Sequence, residues 1–148
     1  SVTALICFFF SINNFAQISD GGKPLSFQKT FQHYFSNQES DPVVVPDFDL
    51  QKAMVSMDVD HPDLETRIAL WERIISLKSI LQDEFLLEAI FEDYFILDNG
   101  KEISRVFVEM NQVSIHNKNT WQETMVFFSE NMNLFERFFK EYQDVLRG

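Results

Sequence analysis

EFLLEAIFEDYFILDNGKEISRVFVEMNQVSI (Glu84–Ile115) contains no proline and one glycine, Gly100. Proline breaks helix interiors and glycine weakens them, so the stretch reads as two helices. The first, Glu84–Leu97, carries Leu87, Ile90, Phe91, Tyr94 and Phe95 on its apolar side. Asp98-Asn99-Gly100 stops it, with Gly100 in the left-handed position that follows a helix end. The second, Lys101–Ile115, places Ile103, Val106, Phe107, Met110 and Val113 on one face, at helical spacing.

The pattern extends outward in both directions. All four prolines (24, 42, 46 and 62) precede Asp63, and Gly100 is the only glycine between Asp63 and Arg147. Upstream, Asp63–Leu81 reads as a helix with Asp60 or His61 near its cap and Pro62 in the first turn. Leu64, Ile68, Trp71 and Ile75 make one stripe, and Leu70, Ile74, Leu77 and Leu81 the next. Stripes this wide predict a helix covered on more than one side. Downstream, Thr120 and Glu123 fit a capping box. Trp121, Met125, Phe128, Met132, Phe135, Phe139, Tyr142 and Leu146 then recur at alternating spacings of four and three, a 3.5-residue repeat.

Before Pro62 the signals are weaker. Ser26–Ser36 is a short amphipathic helix with Phe27, Phe31, Tyr34 and Phe35. Ser40–Asp60 reads as a long acidic connector, within which Leu50–Met57 could form a short helix and Val43-Val44-Val45 is too brief for a sheet. The expected fold is therefore all-α: one helical bundle of about five to six helices over residues 17–148, with the last helix at its centre or shared across an intertwined homodimer.

The 148 residues are 45% hydrophobic, include 17 Phe, and carry a net charge of −11. This composition argues against intrinsic disorder and against nucleic acid and anionic membrane surfaces as partners, because both demand Lys/Arg-rich faces. Cys7 is the only cysteine, so no disulfide framework or cysteine zinc site forms within one chain. Val2–Ile12 is too short for a membrane span of roughly 20 residues. Its apolar run, followed by Asn13-Asn14 and Ala16, fits a secretory leader over residues 1–16. The expected location is thus extracellular.

No catalytic set emerges. His33, His61 and His116 form neither HExxH nor HxxxH, so two zinc ligands from one helix are not indicated. Asp58, Asp60 and Asp63 around His61 resemble a calcium loop, but Asp63 stands where glycine is wanted and Ala69 where glutamate is wanted. Gly21-Gly22-Lys23 lacks phosphate-loop spacing, no serine lies in a nucleophile elbow, and Glu92-Asp93 reads as helix surface. No catalytic, cofactor-binding or metal-binding residue is assigned, no cofactor is expected, and the expected job is binding rather than catalysis.

The cysteine-free chain expected from Gln17 onward, the segment KTFQHYFSN (Lys29–Asn37), the irregular connector and DLETRIALWERIISLKSIL (Asp63–Leu81) with helices after it resemble the short helical cytokines, most nearly the type II interferon family. That resemblance implies an interlocked homodimer, a cell-surface receptor as partner, and immune signalling. The chain departs from that family in its acidic charge and in ending EYQDVLRG rather than in a basic tail. Two alternatives stand beside it: an intracellular helical regulatory or host-interaction domain, and a helical carrier of a small apolar ligand.

Overall fold

The computed structural model describes residues 40–148. The leader read over residues 1–16, Cys7, the helix read over Ser26–Ser36 and His33 lie outside the described residues. Four strands form one antiparallel sheet: β1 (Val43–Phe48), β2 (Lys52–Val59), β3 (Ile90–Ile96) and β4 (Glu102–Asn111). Their spatial order is β1-β2-β4-β3. Between β2 and β3 runs helix α1 (Leu64–Ser76), followed by a single α turn (Lys78–Ile80) and a π turn (Leu81–Phe85). A short 3-10 turn at Lys118–Thr120 leads into the long helix α2 (Trp121–Arg147).

This overturns the all-α bundle. Val43–Val45 opens a strand, Leu50–Met57 belongs mostly to β2 rather than to a helix, and Glu84–Ile115 yields a hairpin in place of two helices. The resemblance to short helical cytokines and type II interferons falls with that bundle, because a four-stranded sheet has no place in it. The cytokine and immune-signalling assignments fall too.

The hairpin has a local cause. The Leu97 amide donates to the Lys101 carbonyl at 2.9 Å, the Gly100 amide donates to the Leu97 carbonyl at 2.8 Å, and the Asn99 side chain accepts from the Lys101 amide at 2.9 Å. Gly100 has φ +84°, the left-handed conformation that closes a three-residue hairpin loop. That same conformation also ends helices, which is how the turn came to read as a cap.

Both helices pack on one face of the sheet. Val44 of β1, Ala53, Val55, Met57 and Val59 of β2, and Val106 and Val108 of β4 join Leu70, Trp71 and Ile74 of α1 and Met125, Phe128, Met132, Phe135, Phe138 and Phe139 of α2 in one buried cluster. Phe128, Phe135 and Phe138 are wholly buried, and burying each is worth roughly 1.5–3 kcal/mol. The expected 3.5-residue stripe of α2 is thus buried except at Trp121 and Tyr142, which are half-buried, and it packs against a sheet and α1 rather than several helices. The capping box does not form: the Thr120 hydroxyl is engaged with Ser114 instead, at 3.0–3.1 Å.

The opposite face of β2 and β4 is also withdrawn from solvent, through Met54, Ser56, Asp58, Ile103, Arg105 and Phe107. Arg105 holds Asp58 with two hydrogen bonds, Nε to Oδ1 at 2.7 Å and Nη2 to Oδ2 at 2.8 Å. Its guanidinium lies 4.4 Å from the centroid of the Phe95 ring, so the buried charge is both paired and stacked. No helix among the described residues is long and apolar enough to cross a membrane.

Candidate docking surface

Among the described residues ten large hydrophobic residues are exposed, and seven of them lie between residues 64 and 96: Leu64, Ile68, Ile75, Leu87, Ile90, Tyr94 and Ile96. Scattered exposed apolar residues are ordinary, but a concentration of them marks a contact site. Two elements account for most of it.

The first is α1. Asp63 caps it, its carboxylate accepting from the Thr66 amide at 3.1 Å and from the Thr66 hydroxyl at 2.6 Å. Those hydrogen bonds hold the Asp63 carboxyl below its ordinary range. Of the two stripes read from the sequence, Leu70, Ile74, Leu77 and Leu81 are buried in the core. The other stripe is not covered as expected: Leu64 is 54% and Ile68 48% exposed. Its member Trp71 alone turns inward, packing on Phe91 of β3 with ring centroids 6.3 Å apart. The stripe therefore runs alongside β3.

The second element is β3, an edge strand among the described residues. Phe91 pairs with Val106 and so shares the face on which the helices lie. A register shift between Glu92 and Phe95 reverses the alternation, because Ile96 then pairs with Glu102, an even-numbered position of β4 like Val106. The bulge consequently brings Ile96 to the side of Phe91, and Tyr94 follows, its hydroxyl donating to the Glu102 carboxylate. That bond raises the Tyr94 hydroxyl's pKa above its ordinary value. Bulges commonly re-aim side chains in this way. Phe95 goes to the other face, edge-on to Phe107 at 6.5 Å.

Two cations tie the elements together. The Arg67 guanidinium donates to the Glu102 carbonyl at 2.8 Å, and Lys78 Nζ sits 5.0 Å over the Phe91 ring. Leu64 and Ile68 of α1 thus lie exposed on the side of the sheet where β3, its terminal strand among the described residues, presents Tyr94 and Ile96 beside the partly buried Phe91; this surface is called the α1–β3 groove. Its surroundings are acidic: residues 63–102 hold ten Asp or Glu against four Lys or Arg. Glu92 and Asp93, read as helix surface, stand on this edge strand instead.

The residues weighed for metal chemistry are dispersed. Asp58 is held by Arg105, Asp60 by Lys101 at 2.6 Å, and Asp63 caps α1. His61 accepts the Asp63 amide at Nδ1, at 3.0 Å, and His116 is exposed on the connection after β4. No group of three or more His, Cys, Asp or Glu among the described residues is placed to hold a metal ion.

Neither a curated protein nor a solved structure matches the chain. A family described as "Domain of unknown function (DUF4268)" matches residues 19–143. Because that match takes in all four strands, α1 and most of α2, the chain belongs to the DUF4268 family.

Proposed function

We propose that the chain is a non-catalytic protein-docking domain that works through the α1–β3 groove. One observation carries this reading. A helix stripe and an edge strand, both apolar, stand exposed side by side while α2 buries nearly all of its own stripe. Exposed apolar area of this kind is costly to keep in water unless a partner covers it. Binding without turnover was also the expectation from the sequence. The particular partner in that expectation, a cell-surface receptor, came with the interferon resemblance and is not carried forward.

Photo-cross-linking from defined positions tests the reading. A photoreactive residue at Leu64 or Tyr94 should give discrete protein adducts in cells that express the chain, and one at Val126, exposed on α2, should give none. Ile68→Asp should abolish the adducts while changing folding stability by no more than about 0.5 kcal/mol. Equal labelling from all three positions, or adducts insensitive to Ile68→Asp, would contradict the proposal.

A further inference from the structure

We infer that the groove takes an extended, basic segment of a partner protein, added to β3 as a further strand; this rests on the docking reading above. Three features select that ligand. An edge strand offers unpaired amides and carbonyls to another strand, and β3 stands at the sheet's end among the described residues. The α1 stripe beside it supplies an apolar wall at Leu64 and Ile68, so alternate side chains of an added strand would meet apolar surface on the helix side. Backbone pairing supplies affinity and alternate side-chain pockets supply specificity in this mode of recognition.

Charge decides the rest. Glu92 and Asp93 lie on the strand itself, Glu65 and Glu72 on α1, and Glu88 and Asp98 at the two ends of β3. Arg67 and Lys78 are drawn onto the Glu102 carbonyl and the Phe91 ring. A lysine- or arginine-rich strand complements this rim. A second copy of the chain fits it poorly, because antiparallel pairing of β3 with itself about its midpoint would bring Glu92-Asp93 of the two chains together. Two chains of net charge −11 would also repel at long range.

The test uses the full chain and a synthetic peptide alternating lysine with valine, read by amide hydrogen exchange and by chemical shift. The peptide should slow exchange of β3 amides by about tenfold and shift Ile68 and Ile96. Its hold should weaken with added salt, disappear with Ile68→Asp, and be absent for the glutamate–valine counterpart. Shifts confined to α1, with β3 exchange unchanged, would overturn strand addition while leaving docking intact. Protection of β3 without peptide, together with twice the chain mass by light scattering, would overturn the basic partner in favour of a second copy. Silence of β3 toward the lysine peptide overturns the inference alone if Leu64 and Tyr94 still cross-link, and the docking reading with it if they do not.

Discussion

The two edges of the sheet are built differently. β1 carries Pro46, which lacks an amide proton and so blunts an edge. Val44 is buried, and Phe48 meets the Phe128 ring edge-on at 6.0 Å. Just before the strand, Asp41 is gripped by Arg147 at the end of α2, at 3.1 and 3.0 Å. β3 has no proline, is bulged, and leaves Ile90, Tyr94 and Ile96 exposed. On the helix side Phe91 anchors it against Trp71. Among the described residues both strands end the sheet, but β1 carries a proline and turns Val44 into the core, whereas β3 keeps its amide donors and leaves apolar side chains exposed. Openness at a sheet edge is a hazard in a protein with nothing to bind, which is why the contrast bears on function.

The largest blow to the contrast strikes the core under both edges. Phe135→Ala should cost ~3–5 kcal/mol through cavity formation, and urea unfolding should show β1 and β3 lost in one transition. Next, Arg105→Met strands the Asp58 carboxylate in a buried site and should cost about 3 kcal/mol. Replacing both, as Asp58→Leu with Arg105→Met, should recover most of that loss. Because Arg105 also supports Phe95, amide exchange in the single variant should rise more in β3 than in β1.

Gly100→Ala isolates the β3–β4 turn. A Cβ there meets no atom within 4 Å, but φ is +84°, so only backbone strain of about 1 kcal/mol is added. Thermal unfolding reads that cost, and the α1–β3 groove should keep its shape.

The smallest effect belongs to Asp47 in β1. Burial, then the neighbouring Asp49 charge, pushes its carboxyl above the ordinary 3.8. The folded chain thus holds this proton more tightly than the unfolded chain does. Its contribution favours folding below that ordinary value and is lost as pH rises through the raised one. Asp47→Asn should therefore match the parent at acidic pH and exceed it slightly at pH 7. Unfolding midpoints across pH check this, and an advantage that grew toward acid would refute it.

The legible part of the fold was α2 and the start of α1, where one face is buried and the other wet, so the helical period stands out. β4 hid because both of its faces are covered. Val106 and Val108 face the helices while Ile103, Arg105 and Phe107 face away, all of them buried. Apolar residues then fall at both parities and mimic helical spacing. A run of β-branched and aromatic residues beside Asn99-Gly100 was the available hairpin signal. β2 concealed itself in the same way, with Met54 on one face and Ala53 and Val55 on the other. For the groove, the sequence showed the Leu64-Ile68-Trp71-Ile75 stripe but not its exposure. Which of two apolar stripes is left in water depends on where the sheet ends, and a bulge at Asp93-Tyr94 has no reliable sequence mark.

The most direct test places a spin label at the centre of the lysine–valine peptide and maps line broadening over the chain. Broadening should centre on Ile68, Tyr94 and Ile96, sparing Val45 and Leu50 at the opposite edge. Broadening centred on β1, or spread evenly over both edges, would contradict the claim that β3 is the edge left open for a partner.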